Sequence, residues 1–290
     1  MRYAAPATVD EASALLSDNP GSQVFAGATD LVPQMRSGRP APSVLVDLKG
    51  IERLTAVTHE DGQWTIGAAT PAADLTRDAA FTAAFPGLSE GAGLIGSDQI
   101  QNRSSLGGNL ANASPAADSV PALIANAGQA VIATADGTRT VPASEIVTGP
   151  GSTSLADGEF IVEFTLADPP AGTGDAYLRM IPRTEMDIAI VGAAVRVTVD
   201  GDSISDAIVV LGAVAPTAVV VPDAAAALVG ASVAGGSIDH SALTALAEAA
   251  SAACDPIDDK RGTIAYRRQV AGVLAKRAAA IAVERAQNGV

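Results

Sequence analysis

The sequence predicts an α+β protein built from two successive regions, and three observations carry that prediction. Short β-type runs alternate irregularly with helical patterns, without the regular strand–helix repeat of a doubly wound sheet. No fixed-period internal repeat is present. Hydrophobic residues make up 48% of the 290 residues while aromatics make up only 3%, which describes a globular chain with a core of Ala, Val, Leu and Ile. The division is expected near residue 173, giving an N-terminal α+β region (1–173) and a C-terminal one (174–290).

In chain order, Asp10 to Leu16 reads as a short helix and Gln23 to Phe25 as a strand that runs into the glycine turn Ala26-Gly27-Ala28-Thr29-Asp30. Strands follow at Val44 to Leu48 and Trp64 to Ala68. Thr70 to Ile95 is helical in pattern with a break at Pro86-Gly87. Residues 104–118, SSLGGNLANASPAAD, read as a loop feeding a helix from Pro115 to Asn126, because Ser114 is a good N-cap and Pro115 a good first helical residue. Asp136-Gly137 between two β-type runs signals a hairpin in AVIATADGTRTV, and GPGSTSLADGEFIVEFTL (149–166) carries a loop into a strand. The second region holds a strand pair turning at Asp200-Gly201 and closes with a long helix, basic on one face, from Thr263 to Gln287.

Composition excludes several classes of function. A formal net charge of −14 argues against nucleic acid or an anionic membrane as a partner. One cysteine, Cys254, rules out an internal disulfide and an iron–sulfur cluster or thiolate zinc site held by this chain alone. Cys254 reads as a packing residue, and His59 and His240 as surface residues. The first residues lack a continuous apolar stretch and no run is long enough to span a bilayer, so a cytoplasmic location is expected.

Gly91, Gly93 and Gly96 in GAGLIG match the dinucleotide pattern G-x-G-x-x-G, with Asp118 twenty-two residues on. The preceding FPGLSE contains proline and polar residues where a buried strand should stand, so the context a Rossmann site needs is missing. The stronger pattern is a pair of glycine turns far apart in sequence, Ala26–Asp30 and Ser105-Leu106-Gly107-Gly108-Asn109. Each can present backbone N–H groups, and two converging sets suit a pyrophosphate without requiring lysines. Two ordinary tight turns would look the same in composition. Asp118, near a helix start, suits the helix dipole, and its oxygens could equally accept hydroxyl hydrogens from a ribityl or ribose chain.

FAGATDLVPQMRSG (25–38), TIGAAT (65–70), QIQNRSSLGGNLANASPAADSVPALIA (99–125), LADGEFI (155–161) and AYLRMIPRTEMDIAIVGAAV (176–195) together closely resemble the FAD-binding medium subunit of the molybdenum hydroxylases, the xanthine dehydrogenase and carbon monoxide dehydrogenase family. The resemblance implies the two-subdomain FAD-binding fold of the vanillyl-alcohol oxidase (PCMH) type, followed by a smaller C-terminal α+β domain. It also implies FAD bound non-covalently. Carried over by position, Ala26, Gly27, Ala28, Thr29 and Asp30 with Ser105, Leu106, Gly107, Gly108 and Asn109 would hold the pyrophosphate. Asp118 would meet the ribityl side, and Ile161 would lie near the isoalloxazine ring. Ala28 stands where relatives commonly have a second glycine. Where many have a lysine near the ring's carbonyl edge, this sequence offers Arg179, or Met180 if the register slips; the plain reading of Arg179 is a surface charge on a strand.

The same resemblance implies an electron-transfer role. A large molybdenum-cofactor subunit would oxidise the substrate, a small [2Fe-2S] subunit would relay the electrons, and the FAD here would pass them to an external acceptor, in a dimer of heterotrimers. The competing readings are a non-redox nucleotide or phosphate-binding module and a self-contained flavin oxidase.

Overall fold

The structure, a computed structural model, describes residues 1–183 and 186–289. Thr184 and Glu185, inside the stretch 176–195, lie outside the described residues, as does Val290. The chain opens with β1 (Arg2–Ala4), α1 (Val9–Asp18), β2 (Gln23–Phe25), α2 (Leu31–Arg36) and β3 (Val44–Asp47). The three strands form a parallel sheet in the order β1-β3-β2. Thr8 starts α1 by accepting from the Glu11 N–H at 3.1 Å, and Ala12 and Leu16 bury the inner face of that helix against Val44 and Val46.

Next come α3 (Glu52–Thr55), β4 (Val57–Glu60), β5 (Gln63–Gly67) and the helices α4 (Ala72–Arg77), α5 (Ala79–Ala84), α6 (Pro86–Gly93), α7 (Asp98–Gln101), α8 (Leu106–Ala111) and α9 (Ser119–Ala125). Strands β6 (Gln129–Thr134), β7 (Gly137–Pro142), β8 (Val147–Gly149), β9 (Ser152–Thr153) and β10 (Phe160–Ala167) follow. A five-stranded antiparallel sheet runs β4-β5-β10-β6-β7, so the predicted hairpin at 130–141 is its edge. The C-terminal part contains β11 (Thr173–Met180), β12 (Val191–Asp200), β13 (Ser203–Gly212), β14 (Val219–Val220), α10 (Pro222–Leu228), α11 (His240–Ala252) and α12 (Ile264–Asn288). Its four strands form one antiparallel sheet in chain order.

That last sheet is buried on both sides. Alternation along β12 sends Val191, Ala193, Val195 and Val197 toward α10–α12, while Ala194 joins the core shared with Leu88, Leu106 and Leu123 of α6, α8 and α9. Polar groups pin the junction. Asp175 accepts from the Gly87 N–H at 3.0 Å and from Asn126 Nδ2 at 2.7 Å, and Glu90 accepts from the Tyr177 N–H and pairs with Arg285 of α12. Buried Arg267 donates to the Ile190 carbonyl at 2.7 Å and to Asp259 at 2.7 Å.

Three expectations need correction. Residues 104–118 are not a continuous loop, because Leu106–Ala111 form α8, with Ser105 Oγ accepting from the Gly108 N–H at 3.1 Å. The following helix begins at Ser119, not Pro115. The Pro115 carbonyl accepts from the Ala213 N–H at 2.8 Å, and Ser114–Ala117 close a turn, so those carbonyls do not start a helical ladder. Asn109 caps α9 instead, accepting from the Ser119 N–H at 3.3 Å and its hydroxyl at 2.7 Å. Finally, Arg179 is no surface charge, for its side chain is only 8% exposed.

The G-x-G-x-x-G match lies in α6 and the turn after it, not between a strand and a helix. A Cβ on Gly91 would sit 2.8 Å from the Asp118 carbonyl oxygen, where α6 crosses α9, whereas one on Gly93 would meet nothing nearer than Thr76 Cγ2 at 3.4 Å. Gly91→Ala is therefore expected to cost about 1–3 kcal/mol of stability and Gly93→Ala almost nothing, read by urea unfolding.

Candidate cofactor site

A cavity of about 410 Å³ opens between the parallel sheet and the α8 segment. Both glycine segments line it: Ala26–Asp30, and Ser105, Gly107, Gly108 and Asn109. Ile161 of β10 lines it as well, together with the loop 155–160, Gln34 and Asn112. The last two bridge α2 and α8, Gln34 Nε2 donating to Asn112 Oδ1 at 3.0 Å.

Close backbone packing sets this shape. A Cβ on Gly27 would lie 1.7 Å from the Arg103 carbonyl oxygen, and one on Gly107 would lie 2.4 Å from that of Ala68. Neither glycine, nor Gly108, has positive φ; their role is close approach, not unusual dihedrals. The left-handed position is Ala28, at φ 56°. A glycine there would be free of the Cβ penalty that alanine carries.

The two segments differ in what they offer a ligand. Among the described residues, the backbone N–H groups of Gly27, Ala28, Thr29 and Asp30 have no protein acceptor. In the second segment, Gly107 N–H donates to the Ala68 carbonyl, Gly108 to Ser105 Oγ and Asn109 to the Ser105 carbonyl. The two segments are thus unequally open: among the described residues the first leaves four N–H groups without a protein acceptor, and the second leaves those of Ser105 and Leu106 while engaging its other three. A cavity with four free donors and few cations on its wall suits a polyanionic linker held by dipoles. Asp30, beside those donors, has its carboxyl raised above the ordinary range by burial.

Three of the residues expected at the cofactor do not line the cavity. Leu106 is a core residue. Asp118 and Arg179 are brought together behind it, Arg179 Nη1 donating to Asp118 Oδ2 at 2.6 Å and the Tyr177 hydroxyl to Oδ1 at 2.9 Å. Arg179 also donates to the Leu94 carbonyl, next to Ile95 of the cavity wall. Burial pushes Asp118 up to about 6, with the Arg179 charge and the Tyr177 and Arg179 hydrogen bonds opposing it. Gln34, Asn112 and the loop 155–160 escaped the sequence reading. The glycine-and-proline stretch 149–158 was the loop's one local signal, and it reads equally well as a connector; Gln34 and Asn112 carry no local signal of a site role.

Residues 1–168 match the family described as "FAD binding domain in molybdopterin dehydrogenase", and residues 176–282 match "CO dehydrogenase flavoprotein C-terminal domain". The chain belongs to this FAD-binding family. Among relatives of this flavoprotein, the carbon monoxide dehydrogenase medium chain of Hydrogenophaga pseudoflava is 34% identical over 277 residues, covering 95% of this chain and 94% of the relative. The 6-hydroxypseudooxynicotine dehydrogenase complex subunit alpha of Paenarthrobacter nicotinovorans is 33% identical over 288 residues, covering 98% and 95%. A solved carbon monoxide dehydrogenase from H. pseudoflava superposes with a TM-score of 0.92 at 35% identity, 98% of each chain being covered. Quinoline 2-oxidoreductase from Pseudomonas putida 86 gives 0.90 at 27% identity, over 100% and 98%. The fold and the oxidoreductase-subunit assignment read from the sequence are borne out, and the open donors beside the glycine cradle fit FAD.

Two outcomes test the geometry. Ala28→Gly is expected to raise stability by about 0.5 kcal/mol, the relief of left-handed strain slightly exceeding the added freedom of the unfolded chain. For Asp118, the folded value lies above the unfolded one, so its contribution favours folding at low pH and is lost as pH rises through about 6. The stability of the wild type minus that of Asp118→Asn should therefore fall between pH 4 and 6.5, by up to about 3 kcal/mol in urea titrations.

Proposed function

We propose that this chain is the electron-transfer flavin subunit of a molybdenum hydroxylase complex. Its FAD is bound non-covalently, accepts electrons from [2Fe-2S] clusters on a small partner subunit, and delivers them to an external acceptor such as NAD⁺, quinone or oxygen. A large molybdenum-cofactor subunit completes the set, in a dimer of heterotrimers located in the cytoplasm; no described helix is long and apolar enough to cross a membrane. The observation that carries this reading is the row of unpartnered N–H groups at Gly27–Asp30, set in the wall of a cavity closed by the second glycine segment.

In this reading the region 1–173 holds the cofactor and 174–290 buttresses it. The N–H groups of Gly27–Asp30 take the pyrophosphate, Ser105, Gly107, Gly108 and Asn109 supply the second part of the cavity wall, and Ile161 lies near the ring. Asp118 and Arg179 act at one remove, fixing Leu94 and with it Ile95. Once bound, the flavin supplies exchange of one or two electrons, and the protein's part is to hold, orient and shield it. One cysteine, buried at Cys254, cannot hold a cluster, which assigns the iron to another chain. Relatives of about equal identity carry names with different substrates, carbon monoxide in one and 6-hydroxypseudooxynicotine in another, so substrate choice belongs to a partner.

The isolated chain should therefore bind FAD, release all of it on acid denaturation, and fail to bleach anaerobically with any candidate substrate. The assembled complex should bleach. Visible absorption before and after substrate addition reads the result, and bleaching of the isolated chain would mark it as a self-contained oxidase.

A further inference from the structure

Lys49 stands behind the first glycine segment, not in the cavity wall. Its ammonium donates to the Ala26 carbonyl at 2.9 Å and to Asp47 Oδ1 at 2.6 Å, and lies 4.4 Å from the centre of the Phe25 ring. Asp47 is itself held by the Tyr3 hydroxyl at 2.8 Å and by the Lys49 N–H at 3.0 Å. Burial would raise the Asp47 carboxyl, but Lys49 and Tyr3 bring it below the ordinary range, so the aspartate is an anion that fixes the lysine in place.

The carbonyl of Ala26 and the N–H of Gly27 belong to one peptide unit, and among the described residues no peptide bond is cis. The two groups of a trans peptide point in opposite directions. A cation on the carbonyl oxygen therefore pulls electron density away from the N–H on the far side, and hydrogen bonds in series strengthen one another in this way. The Gly27 N–H is the first of the four donors without a protein acceptor.

Resting on the FAD reading above, we propose that Lys49 is a positioning residue for the cofactor's pyrophosphate. It fixes the orientation of the Ala26–Gly27 peptide and polarises its N–H toward the anion, without touching the ligand. A net acidic chain thereby brings a positive charge to bear on a phosphate while keeping the cavity wall free of lysine. The backbone dipole transmits the effect, and the Asp47–Tyr3 pair keeps the ammonium from swinging to solvent.

The test compares wild type, Lys49→Arg and Lys49→Met, each checked by circular dichroism for an intact fold, in titrations with FAD and with riboflavin followed by flavin fluorescence. Lys49→Met should bind FAD about tenfold more weakly, the scale of one charge-assisted hydrogen bond, and Lys49→Arg should recover most of that loss. Riboflavin, which lacks phosphate, should bind wild type and Lys49→Met equally. An equal loss for both ligands would show a merely structural lysine, and no loss for FAD would show no role at all; either overturns the inference. Wild type that bound no FAD would instead bring down the reading on which it rests.

Discussion

Everything at the cofactor site depends on a backbone lying against another backbone. Gly27 approaches the Arg103–Ser104 peptide so closely that a single methyl group would occupy the Arg103 carbonyl. That contact joins the parallel sheet to the α8 segment, which is 76 residues further along the chain if measured from Gly27 to Arg103, and Gly107 repeats it against Ala68. With both fixed, the two glycine segments line one cavity, and the N–H groups of Gly27–Asp30 are left without protein acceptors among the described residues. Side chains then adjust what the backbone has already placed.

The charges follow a consistent division of labour. Three arginines act as anchors between elements: Arg179 on Asp118, Arg267 on the Ile190 carbonyl and Asp259, Arg285 on Glu90. Removing one member of such a pair leaves an uncompensated charge in a poorly solvated place, so these contacts enforce a particular arrangement more than they add stability. The cavity wall, by contrast, relies on dipoles. An acidic chain binding a dinucleotide by this means needs no basic patch on its surface.

Much of this was readable in the sequence wherever a local rule governs it. The helix at 10–16, the strand at 23–25, the hairpin at 130–141 and the long terminal helix all carry their own periodicity and turn chemistry, and each formed within a few residues of expectation. The two glycine segments were also recognisable. What could not be read was decided at a distance. The start of α9 moved because Pro115 bonds to Ala213, nearly a hundred residues on, and because Asn109 supplies the cap. Arg179 found Asp118 across 61 positions, and nothing near either residue announces it. The short strands β1 and β4 have too few residues to show an alternation, and β4 is solvent-exposed along most of its length. The GAGLIG match shows the reverse error, in which small residues needed for helix crossing imitate a nucleotide fingerprint.

The pairing of Glu90 with Arg285 spans 195 residues and ties α6 to the far end of α12. It gives the order of events during synthesis a physical meaning. Until Arg285 has been made, α6 is held on β11 only by the Gly87–Asp175 and Tyr177–Glu90 bonds and lacks its tie to α12, and α6 in turn supports α9 behind the cavity. A ribosome stalled midway through the C-terminal sheet would carry a chain whose α6 lacks its tie to α12, and the helices behind the cavity would gain that brace only once residue 285 had emerged.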